Sequence, residues 1–184
     1  MIFYRVVKVG AGSPAGLPES VRKYLEYHTA EWSSAREFLV RKVLEMLDYS
    51  RCVKSQELTD RLDVRRHYSR MMEEGILALV LRGGGRERCV TVVEDLERHF
   101  KGYLPKALED FLERFKEENR AKVREVLERI AKGEKLSWDE FKYGDSAVKY
   151  ALTKARESGL LWYVEVGGRK GSGFFMINPF LYKE

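Results

Sequence analysis

The densest group of side chains able to bind an anion lies at residues 61–70. Four arginines and His67 share this stretch with a single acidic residue, Asp63. A guanidinium group presents its N–H donors as a planar fork, which fits two phosphate oxygens or the O6/N7 edge of guanine. Alternatively, these side chains lie in solvent and form ion pairs with neighbouring acidic residues such as Glu73. The local excess of arginine over acidic residues favours an anionic partner instead. The residues that we expect at this contact are Arg65, Arg66, His67, Ser69 and Arg70.

Two glycine-rich loops, at residues 83–88 and 167–173, carry the next concentration of cations. Glycine lets the backbone of such a loop come close to a sugar-phosphate chain, where lysine and arginine can neutralise phosphate. The cations expected at phosphate are Arg86, Arg88, Arg169 and Lys170.

A further set of polar side chains recurs at helical spacing between residues 146 and 154. Side chains three and four positions apart fall on one face of a helix, here opposite an apolar face. This outer face suits a phosphate backbone and a protein surface equally well. Its members are Ser146, Lys149, Tyr150 and Lys154.

The elements that would position these residues occur twice in the chain. Residues 55–93 and 137–178 each predict a short helix, a tight turn, a second helix and a hairpin with a Gly/Arg tip. The second helix of each copy ends in Glu, one further residue, Gly and an aliphatic residue, with Gly75 aligned to Gly159. The doubled pattern predicts a tandem protein.

Capping residues and glycines predict where the helices begin and end. Serine and aspartate side chains accept hydrogen bonds from the first N–H groups of a helix, and glycine adopts the positive φ found after the last turn. The expected caps are Ser33 or Ser34, Ser55 and Asp63 in the first copy, and Ser137 and Asp145 in the second. The expected inward-facing residues are Leu58, Leu62, Tyr68, Met71 and Met72 in the first copy, and Val148, Leu152 and Ala155 in the second.

The segments outside the two copies also have recognisable patterns. Residues 2–9 are β-branched and aromatic, which predicts a strand, and Pro18 starts a helix behind it. Pro105 starts a second helix, whose apolar stripe continues into the first helix of the second copy. Because no Gly/Ser-rich linker separates the copies, we expect a helical connection.

The first copy, with SQELTDRL, a following valine and EEGIL, is similar to the core of many prokaryotic transcription regulators, and the chain resembles the winged helix-turn-helix superfamily. The ending FFMINPF also resembles the wing strand of some plasmid replication initiators. The resemblance implies a mostly α fold with small antiparallel β-wings (α+β), built as two tandem winged-helix units joined by a helical linker. The implied domains are an N-terminal strand and helix at 1–32, unit 1 at 33–104, and the linker helix with unit 2 at 105–184.

The resemblance implies binding of double-stranded DNA, with sequence specificity, by a transcription regulator or a replication initiator. One unit making roughly three to five phosphate contacts would bind weakly, so two units or a homodimer are expected. The first copy concentrates its arginines on a short third helix, whereas the second has a milder helix and a longer loop. This difference indicates one copy that contacts bases and one that contacts the DNA backbone or a protein. The alternative function is a tandem winged-helix scaffold that binds proteins in a chromosome-maintenance complex.

The same resemblance brings the two cysteines of the chain together. In a winged helix the short strand between the first two helices pairs with the returning wing strand, and Cys52 and Cys89 lie in those two strands. We expect two buried thiols, with a disulfide as the alternative that would suit a hyperthermophile.

Composition restricts the remaining possibilities. The chain has 184 residues, 34% of them charged, and a net charge of +5. The absence of an apolar run of about 18 residues predicts a cytoplasmic protein without a membrane partner. Three separated histidines and the lack of a catalytic constellation predict no metal, no cofactor and no enzymatic activity. The near absence of glutamine and asparagine favours a thermophilic, archaeal source.

Overall fold

The computed structural model describes residues 16–167 and 173–182. The α-helices are α1 (Glu19–His28), α2 (Ser34–Met46), α3 (Ser55–Thr59), α4 (Leu62–Glu73), α5 (Lys106–Leu112), α6 (Glu117–Ala131) and α7 (Ser146–Glu157). The strands are β1 (Leu77–Arg82), β2 (Glu87–Val92), β3 (Leu161–Val166) and β4 (Gly173–Ile177). The strand expected at 2–9 lies outside the described residues, as do Arg169 and Lys170.

The elements make an α+β protein, in agreement with the predicted class. The four strands form one antiparallel sheet in the order β2-β1-β3-β4. Strands β3 and β4 pair from Leu161 with Ile177 to Glu165 with Gly173. In the part of the chain that the structure describes, no helix is long and apolar enough to cross a membrane.

The chain divides into two compact units whose boundaries differ from those expected after residues 32 and 104. Of the described residues, the first unit comprises 16–78 and 89–95, and the second comprises 79–88, 96–167 and 173–182. The β1–β2 hairpin is therefore shared: its base belongs to the first unit and its tip to the second. The α1 helix belongs to the first unit.

In the first unit, helices α1, α2, α3 and α4 bury their apolar faces. The α2 helix is capped as expected, because the Ser33 side chain accepts a hydrogen bond from Arg36 N at 3.1 Å. Val53 forms an antiparallel bridge with Val90, which places a one-residue strand between α2 and α3. Gly75 ends α4 with a φ of 75°.

Three local predictions for the first unit are wrong. The α4 helix begins one residue before Asp63, with Arg61 in the cap position, and Asp63 instead pairs with the Arg61 guanidinium at 2.8 Å. Leu62, at the start of α4, is 78% exposed and does not enter the core. Ser55 is the first residue of α3 and not its cap, because Lys54 is in the cap position. The Lys54 N–H donates to the Glu57 carboxylate at 2.8 Å.

The two cysteines form a disulfide, which corrects the expectation of two free thiols. Cys52 and Cys89 are bonded, with their Cα atoms 4.9 Å apart. The bond lies beside the Val53–Val90 bridge, so strand pairing brings the two sulfurs into reach.

In the second unit, α6 packs against β4, α7 packs against β3, and α5 packs against α6. The core includes Leu127, Leu152, Tyr163 and Phe175, together with Leu81 from the end of β1. Gly159 ends α7 with a φ of 78°, and Asp145 caps its start as predicted, accepting from Ala147 N at 2.8 Å. Ser137 caps the 3₁₀ turn Trp138–Phe141, in which its N–H donates to Glu140.

The expected continuous linker helix is broken between α5 and α6. The chain leaves helical geometry before Lys116, whose φ and ψ are −63° and 152°. The Arg120 guanidinium donates to the carbonyls of Leu112 at 3.1 Å and Phe115 at 3.0 Å, which satisfies groups that a continuous helix would have paired. An apolar stripe fixes which side faces the core, but it does not show whether the backbone between two turns stays helical.

Candidate nucleic-acid interface

The α4 helix of the first unit separates an apolar face from an arginine face. Its buried residues are Val64, Tyr68, Met71 and Met72. Its exposed polar residues include Arg65, Arg66, Ser69 and Arg70. Since the apolar side chains fall at helical spacing, their burial fixes the outward direction of the arginines. The predicted cations on this helix therefore share one accessible surface, which we call the arginine face.

Arg65 and Arg66 differ in how their guanidinium groups are held. The Arg65 Nε donates to the Thr59 carbonyl at 2.7 Å, which ties this side chain to the end of α3. Arg66 is exposed and makes no hydrogen bond or ion pair with another described residue. One guanidinium is thus pre-positioned, and the next is available for a ligand.

His67 and Arg70 contact the α1 helix, which the sequence did not predict. The His67 Nδ1 lies 2.9 Å from the Tyr24 hydroxyl, and the Arg70 Nη1 lies 3.0 Å from the His28 Nδ1. Burial, and then the neighbouring side chains of Arg66, His28 and Arg70, lower the pKa of His67 below its usual range. His67 is therefore held as a half-buried, neutral contact between α1 and α4.

The tip of the β1–β2 hairpin packs within the second unit. A Cβ placed on Gly84 would lie 3.5 Å from the Glu157 Cα at the end of α7. Arg88 pairs with the mostly buried Glu165 of β3 at 3.3 Å, and the Arg86 Nε donates to the Gly83 carbonyl at 2.9 Å. The two cations predicted for the loop at residues 83–88 thus have partners in the fold, although their side chains stay exposed.

The outer face of α7 is exposed as predicted and combines lysine with tyrosine. Tyr150 is 58% exposed, and the Lys154 Nζ lies 5.6 Å from its ring centroid. The Lys149 Nζ donates to the Lys142 carbonyl at 3.2 Å. Ser146, the first residue of this helix, is also exposed.

Two cations beside α7 were missed by sequence reasoning. Arg114 and Lys116 lie in the break between α5 and α6 and line a groove with Tyr150 and Lys154. The pattern of residues 105–132 is rich in both signs and resembles a self-neutralising helix. The break in that helix brings these two cations to the groove.

The α4 and α7 helices are alike in two respects: each has an exposed face that carries cations opposite a buried apolar face, and each precedes a hairpin. Comparison of the chain with protein-family models, with curated proteins and with solved structures finds no match.

Proposed function

We propose that the protein binds double-stranded DNA in a sequence-specific manner, as a transcription regulator or a replication initiator. The observation that carries the proposal is the arginine face of α4. It presents Arg65, Arg66 and Arg70 on the exposed side of a helix whose other side is locked into the core. Arginine forks on a rigid helix are the commonest means of reading guanine in the major groove.

The order of elements supports two winged helix-turn-helix units. In the first unit, α2 is followed by the Val53 bridge, α3, α4 and the β1–β2 hairpin. In the second, α6 is followed by Leu136, whose carbonyl accepts from Phe175 N at 2.9 Å, then a 3₁₀ turn, α7 and the β3–β4 hairpin. Each order matches the parts by which a winged helix presents its third helix to DNA.

The α4 side chains have distinct roles in this proposal. Arg66, which has no partner among the described residues, is the base-contacting candidate. Arg65, held by the Thr59 carbonyl, and Arg70 would contact phosphate and fix the register of the helix. His67 would support α4 from behind through Tyr24.

A protein-interaction scaffold is the second candidate, favoured by the exposed tyrosines of the second unit. Tyr143 is 92% exposed just before α7, and Tyr150 is 58% exposed on it. Exposed tyrosine is enriched at protein interfaces. The two functions differ in their dependence on salt and on the arginine face.

A fluorescence anisotropy titration of the whole chain on random duplex DNA over a salt series tests the proposal. Phosphate contacts release counterions, so the logarithm of the binding constant should fall steeply and linearly with the logarithm of salt. Selection of binding sites from a random pool then tests sequence specificity. Failure to bind duplex at about 50 mM salt would rule out the DNA function and favour the scaffold.

A further inference from the structure

A groove on the second unit combines aromatic rings with an excess of positive charge. It lies between the end of α5, the start of α6 and the outer face of α7, and its volume is about 710 Å³. Three cations line it: Arg114, Lys116 and Lys154. Of the described lining residues, Glu118 alone is acidic, so the charge of the groove complements an anion.

The aromatic side chains provide both a floor and an exposed stacking surface. Phe111 is 3% exposed and packs edge-to-face on Phe115, with ring centroids 5.3 Å apart. Tyr150 stands on the α7 side with more than half of its surface free. Any nucleic-acid base can stack on such rings, because every base has a π-face.

The cations of the groove are accessible to phosphate. Arg114 and Lys116 are exposed and form no ion pair with another described residue. Lys154 pairs with Glu157 at 3.4 Å, but both side chains are about half exposed, and such a surface pair contributes little. A phosphate could therefore replace Glu157 as the partner of Lys154 at little cost.

We propose that this groove binds single-stranded DNA, with bases stacked on Tyr150 and Phe115 and the backbone held by Arg114, Lys116 and Lys154. A basic groove with aromatic platforms is the general arrangement for sequence-tolerant binding of single strands. The groove is open at the surface, which suits a continuous strand better than an enclosed small molecule. This function goes beyond duplex binding by the arginine face and does not require it.

The test is the anisotropy of a short fluorescent oligo-dT, which forms no duplex, titrated with the whole chain and its variants. Tyr150→Ala should weaken binding at least about fivefold, the lower bound for loss of one stacked base. Tyr150→Phe should restore it, because the ring remains. The matched control is Tyr27→Ala, which removes an 85% exposed tyrosine from α1. Circular dichroism of each variant verifies folding.

The possible results separate the groove from the arginine face. Binding of oligo-dT that depends on Tyr150, and on Arg114 with Lys116 in a double alanine variant, supports the groove even if duplex DNA is not bound. Equal binding by wild type and Tyr150→Ala, or no oligo-dT binding at low salt, overturns it while leaving the duplex proposal intact. Displacement of oligo-dT by thymidine monophosphate at equal concentration would make this a small-molecule site and would also overturn the assignment.

Discussion

At the scale of single residues, the pairing of each arginine of α4 determines what it can do. Arg65 is anchored to the Thr59 carbonyl, and Arg70 is directed to His28 of α1. Arg66 alone of the three has no partner among the described residues. Exposure could be predicted from helical spacing, but these partners come from elements distant in the chain.

The double variant Arg65→Ala, Arg66→Ala should lose duplex affinity and keep its fold. Both side chains are exposed, so the loss should appear in binding, by about 1–3 kcal/mol if a base contact is removed. Anisotropy on duplex DNA and thermal melting measure the two effects. Lys23→Ala with Arg41→Ala, on α1 and α2, removes the same net charge and should change affinity much less. If both double variants bind alike, α4 does not read bases.

The half-buried position of His67 predicts that the free energy of unfolding depends on pH. Because its pKa in the folded protein is lowered, the unfolded chain takes up a proton first, near its ordinary pKa of about 6.5. The contribution of the neutral His67 side chain to the free energy of unfolding is therefore complete above that pH. It is lost as the pH falls below that value towards the pKa of His67 in the folded protein. The free energy of unfolding, measured by urea denaturation, should differ less between pH 7.5 and pH 5 in His67→Asn than in the wild type.

Tyr24→Phe provides the control for this prediction. It removes the hydroxyl that lies 2.9 Å from His67 but keeps the ring that buries the imidazole. Since burial is the first cause of the lowered pKa, this variant should retain the wild-type pH dependence. If Tyr24→Phe lost this pH dependence, the Tyr24 hydroxyl, and not burial, would control the titration of His67.

At the scale of elements, the disulfide covalently links strand β2 to the segment before α3. The Cys52–Cys89 bond and the Val53–Val90 bridge join the same two segments. The Thr91 hydroxyl adds a third connection by donating to Tyr49 Oη at 3.1 Å. These three contacts hold the base of the hairpin within the first unit.

Removing the disulfide should lower the free energy of unfolding of the first unit. The two cysteines are 37 residues apart, and closing a loop of that length contributes about 4 kcal/mol in the chain-entropy model. We expect Cys52→Ala, Cys89→Ala to lose up to that amount in urea denaturation. A reductant should destabilise the wild type equally and leave the variant unchanged. Two free thiols in a non-reducing mass measurement would contradict the bond itself.

At the scale of the whole molecule, segments of the two units alternate along the chain. We therefore expect that a cut at the boundary predicted from the sequence, before residue 105, leaves the second unit incomplete. A fragment of residues 105–184 lacks Leu81 and Leu104, both of which belong to the core of the second unit. It also lacks Arg82, whose guanidinium carbon lies 4.3 Å from the centroid of the Trp162 ring. Loss of buried leucine atoms costs several kcal/mol, a large part of the stability of a small unit.

This fragment should therefore melt without a cooperative transition. The full chain provides the comparison under the same conditions, with circular dichroism as the measurement. A sigmoidal transition of the 105–184 fragment at the temperature of the full chain would show that the hairpin tip contributes nothing to the second unit.

Much of the local structure follows from the sequence. Periodicity predicted the exposed and buried faces of α4 and α7, glycines predicted their ends, and Asp145 and Ser33 predicted two helix starts. These predictions hold because helical spacing and capping act over a few neighbouring residues. The same reasoning was wrong for Asp63, Ser55 and Leu62, because two or three adjacent residues compete for the start of a short helix.

The α+β class and the direction of the arginine face were thus determined by the sequence alone. Tertiary structure decided the bond between Cys52 and Cys89, the contact of His67 with Tyr24, and the break that brings Arg114 and Lys116 to the groove. Each of these depends on segments that are distant in sequence or on the path of the backbone between two helical turns. Residue spacing alone does not determine such contacts, because they form only when the apolar faces of several elements pack together.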